Sequence, residues 1–205
     1  MDDVPTDGRG PQLPRRARNV SSILRERPLL PAAISATDAD VKAIIALNNL
    51  FSADGLTLQR SEDFVAQHLS DYRIVRGPDG ALWGQVALDE YSPSLCELVS
   101  LAVAPEAQGK GLGRHLIAVA VDLANRRGYP QLFAVSLADT LFLGAGFTQS
   151  SIDQYPEKIW RYRAISRSEL SIGKKFLFVR DLPPTAKRRP GKTRSKRPSV
   201  RSKPK

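Results

Sequence analysis

Gln108-Gly109-Lys110-Gly111-Leu112-Gly113 lies between an apolar, strand-like run over residues 96–104 and a helix-like run over 114–127. Glycine at three of six positions opens backbone conformations closed to other residues and leaves no Cβ in the way. The main-chain N–H groups of such a turn can converge at the start of a helix, where the macrodipole also favours an anion. The stretch therefore reads as a pyrophosphate cradle, with Arg114 able to add a side-chain charge. A Walker loop needs Ser or Thr after Gly-Lys, and Gly111 stands there instead. A dinucleotide fingerprint needs a different glycine spacing and an acidic residue about 20 positions on, which this chain lacks.

What remains is Q/R-x-x-G-x-G/A, met by Gln108, Gly111 and Gly113. In this the chain resembles the GNAT superfamily of acyl-CoA-dependent N-acyltransferases. The flanks agree. Glu97-Leu98-Val99-Ser100-Leu101-Ala102-Val103-Ala104-Pro105 reads as a buried strand that stops at proline, like the GNAT fourth strand. Residues 131–136 read as another buried strand, 138–145 as a short helix, and Gly146-Phe147 as its stop, an order that also resembles the family.

At 205 residues and 41% hydrophobic, the chain supports one domain with a real core. No apolar run approaches the length needed to span a bilayer and no signal sequence is evident, so a cytoplasmic protein without membrane partner is expected. A lone cysteine, Cys96, can form neither an internal disulfide nor a cysteine metal cluster, and no metal is expected. Residues 186–205 hold ten Lys or Arg and no acid, equal to the whole chain's +10, so residues 1–185 are formally neutral. Residues 183–205 read as a disordered basic tail able to hold nucleic acid or another polyanion weakly and without sequence preference. Residues 1–30, rich in proline and arginine, read as a disordered extension. Residues 31–182 read as the acetyltransferase domain, α/β with a mixed sheet. Its oligomeric state stays open, a homodimer among the options.

Within that domain, residues 36–50 read as an amphipathic helix behind Thr37 and Asp38, and 61–69 as a second helix capped by Ser61. Residues 72–76 and 81–89 read as strands joined by the turn Gly77-Pro78-Asp79-Gly80. Residues 158–165 and 174–179 read as two later strands.

Acyl transfer to an amine requires a base for the ammonium, a donor to the acyl carbonyl and a proton for the departing thiolate. Glu97, a carboxylate near the start of an otherwise apolar strand, is the candidate base, and the resemblance implies the same. It also implies that the main chain of Leu101, Ala102 and Val103 serves the carbonyl, that residues Gln108, Gly109, Lys110, Gly111, Leu112, Gly113 and Arg114 hold acetyl-CoA, and that a strand bulge or splay frees the necessary amides. The family's usual tyrosine before Gly-Phe is Phe142 here, which leaves the acid unassigned among Tyr129, Tyr155, Tyr162 and solvent. His68 and His115 have no partners at catalytic or metal-ligand spacing.

Residues 53–61, 97–113 and 155–160 together resemble the GNAT branch containing N-acetylglutamate synthases, with their Gly-Leu-Leu-x-x-Arg-Ser loop and late Lys-Val-Trp-like strand. That branch implies a small-molecule amine acceptor, glutamate or a similar amino acid, whose carboxylates would be received by Arg60, Lys158 and Arg167. Peptide or protein amines, and a CoA-binding module without chemistry, are the alternatives.

Overall fold

The computed structural model describes residues 30–164 and 176–183. Twelve elements follow in chain order: β1 (Ile34–Ser35), α1 (Val41–Leu50), α2 (Glu62–Gln67), β2 (Arg73–Arg76), β3 (Leu82–Ser92), β4 (Leu95–Val103), α3 (Leu112–Arg127), β5 (Gln131–Ser136), α4 (Asp139–Leu143), β6 (Thr148–Ser150), α5 (Pro156–Ala164) and β7 (Phe176–Asp181). The strands form one sheet in the order β1-β2-β3-β4-β5-β7-β6. Only β4 and β5 run parallel.

Alternation along the central strands builds the two faces. Val75, Val86 and Leu88 cluster with Leu112, Leu116, Ile117 and Ala120 of α3, while Tyr72, Ile74 and Ala87 cluster with Val41 and Ile44 of α1 and Val65 of α2. Each Val, Leu or Ile among them contributes about 1.5–3 kcal/mol by leaving water. The buried stripe of α3 recurs at helical spacing, and Gly128, at φ +84°, ends the helix by donating to Ala124 and Asn125 carbonyls. A smaller cluster, Leu95, Phe133, Tyr155 and Leu177, lies toward α5.

Two irregularities shape the site. Between β3 and β4 the register passes from Gln85↔Ala102 to Ala87↔Val99, two residues against three, so β4 carries a bulge at Ser100 and Leu101. Ser100 sits there at φ +53°, in the left-handed region. Between β4 and β5 pairing covers only Leu95↔Gln131, Cys96↔Leu132 and Glu97↔Phe133, after which the two strands part. From Ala134 onward β5 is held by β7 alone.

Most expected elements are present, with shifted ends. The hairpin turn closes through Gly77 N–H to the Ala81 carbonyl at 2.9 Å. Ser61 caps α2 by accepting from Phe64 N–H at 3.2 Å. The first helix begins later than residue 36: Thr37 and Asp40 form a capping box before a short 3-10 turn that leads into α1. The exception is the strand expected over 158–165, which is the helix α5. Pro156 suits a first helical position, where its missing N–H costs nothing, and Lys158 and Ile159 N–H groups both donate to the Tyr155 carbonyl. Its Lys158 is buried and Trp160 is exposed. Sheet position beside β5 goes to Phe176–Asp181 instead, and the short strands β1 and β6 went unread in sequence. Expectations for residues 1–29 and 184–205, and for Arg167, lie outside the described residues.

Candidate functional site

The glycine turn opens onto a groove of about 680 Å³. Gly109 and Gly111 take φ +74° and +87°, and a Cβ added at either would meet nothing within 4 Å, because both face open space. Gly111 is the N-cap of α3, and the first intrahelical bond runs from His115 N–H to the Gly111 carbonyl at 3.1 Å. The N–H groups of Leu112, Gly113 and Arg114 precede it, in the part of a helix that has no intrahelical acceptor. Gln108 Nε2 ties the turn to β4 by donating to the Val103 carbonyl at 3.1 Å. Lys110 Nζ lies 4.7 Å from the Trp83 ring centroid. All seven residues expected to hold the pyrophosphate line this one groove. The open space at Gly109 and Gly111 and the N–H groups without intrahelical acceptors at the start of α3 fit a linked phosphate pair.

Where β4 and β5 part, a second cavity of about 590 Å³ opens. Val103, Gly113 and Leu141 line both spaces, so the groove and the cavity adjoin. The bulge borders it through Ser100 and Leu101. Of the three residues expected to serve the carbonyl, Leu101 lies in the bulge, whereas Ala102 and Val103 pair again with Gln85 and Gly84 of β3. Ser100 Oγ lies 3.2 Å from Tyr72 Oη, and burial pushes the Tyr72 hydroxyl above its ordinary value, so it stays protonated.

Glu97 borders the same cavity, with its side chain only 5% exposed. It is not a lone carboxylate. Lys158 Nζ donates to Oε1 at 2.8 Å and to Oε2 at 2.6 Å, and Tyr91 Oη donates to Oε2 at 2.8 Å. The lysine expected to receive an acceptor carboxylate is thus committed to Glu97, because the helix over Pro156–Ala164 turns it inward where a strand reading left it free. Tyr91 had no motif to mark it; its relevance depends on β3 running alongside β4.

Arg60 reaches the cavity from the loop after α1. Asn49 pins its main chain, Oδ1 accepting from Arg60 N–H at 2.9 Å and Nδ2 donating to the Arg60 carbonyl at 3.1 Å. The guanidinium lies 4.1 Å from the Phe64 ring centroid, and its Nε is buried without a hydrogen-bond acceptor among the described residues. A buried donor of that kind calls for an anionic or carbonyl partner.

The remaining candidates take other roles. Phe142 borders the larger cavity but is a buried core residue, packed against Phe147 and Phe178. Tyr129 donates to Glu90, and Tyr155 stacks on Phe133 at 5.3 Å; neither lines the groove or the larger cavity. His68 Nδ1 lies 2.8 Å from the Phe64 carbonyl, while His115 borders the groove. Among the described residues no group of three or more His, Cys, Asp or Glu is placed to hold a metal, and no helix is long and apolar enough to cross a membrane. Cys96 is fully buried, and burial pushes its thiol up to about 12. Native protein at about pH 8 should therefore resist a disulfide-exchange reagent until it is unfolded, since the thiolate is the nucleophile; prompt labelling of folded protein would contradict this burial.

A family model described as "Acetyltransferase (GNAT) family" matches residues 46–141. An uncharacterized N-acetyltransferase of Chlorobaculum tepidum is 31% identical over 60% of this chain and 79% of its own. An amino-acid acetyltransferase of Neisseria meningitidis is 36% identical over 60% of this chain, which spans only 28% of that protein. Among solved structures, N-acetylglutamate synthase from Neisseria gonorrhoeae, complexed with coenzyme A and N-acetyl-glutamate, superposes with a TM-score of 0.66 at 32% identity, covering 74% of this chain and 35% of that one.

Proposed function

The chain belongs to the GNAT family of acetyltransferases, acetyl-CoA-dependent N-acetyltransferases, and on that premise we propose that its acceptor is the α-amine of a small acidic amino acid, glutamate first. The observation that carries the choice of acceptor is the unpartnered Nε of Arg60, buried in the wall of the cavity that Glu97 also borders. A guanidinium held in place by its main chain and by Phe64 suits a carboxylate better than it suits a neutral amine. The likeness to an amino-acid acetyltransferase and to N-acetylglutamate synthase supports the same class of acceptor. Arg167, outside the described residues, is proposed as the second cation for an acceptor with two carboxylates.

The roles follow from position. Main-chain N–H groups from Gln108 to Arg114 hold the pyrophosphate of acetyl-CoA, which supplies the activated acyl group. Glu97 takes the proton from the acceptor's ammonium, and the main chain of the β4 bulge at Leu101 donates to the acyl carbonyl oxygen. The open strand edge beyond Glu97 supports that last assignment, since pairing with β5 would consume its donors.

Acetyl-CoA consumption measured across free amino acids, peptides and simple amines tests the acceptor. Turnover with glutamate at millimolar concentration is expected. Turnover of peptides or neutral amines with none of glutamate would replace this acceptor, and acetyl-CoA binding without turnover of any amine would mean a binding module. Arg60→Leu should raise the KM for glutamate roughly 10- to 150-fold, the loss of a hydrogen bond to a charged group of about 1.5–3 kcal/mol. Acetyl-CoA affinity should not change, because the loop of Arg60 does not border the groove.

A further inference from the structure

The two oxygens of Glu97 are not equivalent. Among the described residues, Oε2 accepts from Lys158 Nζ at 2.6 Å and Tyr91 Oη at 2.8 Å, whereas Oε1 accepts from Lys158 Nζ alone, at 2.8 Å. An ionised carboxylate offers about four acceptor positions. Three are taken, and the one left over belongs to Oε1. We propose that Lys158 is a positioning residue: with Tyr91 it fixes the Glu97 carboxylate so that Oε1 takes the acceptor's proton. The inference rests on Glu97 being the base.

The donors that hold Oε2 are themselves held. Tyr91 lies edge-on to Phe133, with centroids 5.3 Å apart at 73°, and Phe133 stacks on Tyr155 at 5.3 Å. The Tyr155 carbonyl in turn accepts from Lys158 N–H at 3.0 Å, at the start of α5. Lys158 Nζ sits 5.5 Å from the Tyr91 ring centroid and 6.0 Å from that of Phe133. Side-chain exposure is 6% for Lys158 and 5% for Glu97. Such a pair is expensive to desolvate, and apolar residues of similar size would often serve stability as well. Holding one oxygen pair in a single orientation is what apolar residues could not do.

The proton step balances simply. An N–H bond of the acceptor ammonium breaks, its electron pair stays on nitrogen, and an O–H bond forms at Oε1. Lys158 neither gives nor takes a proton. Among the described residues, the ionisable groups around this carboxylate are Lys158 from α5, Tyr91 and Asp89 from β3, the latter opposite Glu97 in register, and Arg60 across the same cavity. Withdrawing the cation nearest a carboxylate favours its protonated form.

The test compares Lys158→Met, Lys158→Arg and Tyr91→Phe, each alone, with Glu97→Gln alone and combined with Lys158→Met. Readouts are kcat, acceptor KM, the pH profile of kcat/KM and acetyl-CoA affinity by calorimetry. Lys158→Met should lower kcat roughly 30- to 300-fold, part of the 10²–10⁴ that a placed base contributes, and move the acidic limb of the profile to higher pH. Lys158→Arg should restore most of both. Tyr91→Phe should lower kcat a few-fold and move the same limb in the same sense. In the Glu97→Gln background, Lys158→Met should add no further loss, because it acts through the missing carboxylate. Multiplying losses in that background, or wild-type profiles in Lys158→Met and Tyr91→Phe, would overturn the proposal. Full activity of Glu97→Gln would instead remove the base assignment beneath it. Should Lys158→Met fail to fold, Tyr91→Phe and the double variant, which removes both charges of the Glu97–Lys158 pair, decide the matter.

Discussion

Glu97→Gln is expected to lower kcat by roughly 10²–10⁴, the range a placed general base contributes, while acetyl-CoA affinity stays within about twofold. The amide has nearly the same shape and keeps one oxygen for Lys158 Nζ, but it cannot take a proton at ordinary pH. Glu97 does not line the groove around residues 108–114, so the two halves of the site should separate cleanly in the measurements. The substitution also removes the Glu97 charge from the buried pair with Lys158, and breaking a buried pair costs about 3–5 kcal/mol. A lower melting temperature should accompany the loss of turnover, and kinetics belong well below it. Steady-state rates beside calorimetry with acetyl-CoA provide the check. A folded variant with unchanged kcat would withdraw the base role from Glu97.

Gly111→Val should weaken acetyl-CoA binding by at least about tenfold and by as much as a hundredfold, with little change in fold. Gly111 holds φ +87° at the head of α3, where an L-residue pays about 1–2 kcal/mol and a β-branched one more. Since a Cβ there meets no protein atom within 4 Å, the folded chain tolerates its volume. The same open space is the proposed place of the pyrophosphate, so the side chain should exclude the ligand from the donors. Gly113 differs: it is helical, and a Cβ would stand 3.4 Å from Leu141 Cδ2, an ordinary contact at the wall between groove and cavity. Gly113→Ala should therefore be milder than Gly111→Val in calorimetry. Equal affinity of Gly111→Val and wild type would mean that the pyrophosphate is held elsewhere.

The glycine turn and its flanks were legible because their determinants are local. A φ above zero, a helix stop at Gly128 and a hairpin at residues 77–80 each depend on a few adjacent residues. Glu97 stood out for the same reason, a lone carboxylate in an apolar strand. The segment after Tyr155 was misread because Lys-Ile-Trp-Arg-Tyr-Arg mixes polar and apolar residues at a spacing that suits a strand as readily as a helix. Pro156 and the Tyr155 carbonyl settle it as a helix, and the sheet position beside β5 belongs to residues after the next connection.

The amino-acid order by itself therefore determined the glycine turn, the strand that carries Glu97 and the family of the chain, since backbone freedom and hydrophobic period are written residue by residue. Only the tertiary structure decided what surrounds Glu97. Tyr91 lies 6 positions from Glu97 and Lys158 lies 61, and their meeting needs β3 beside β4 and a helix that brings Lys158 to Glu97. Cross-strand register and helix packing are set by the whole core, so no short stretch of sequence encodes them.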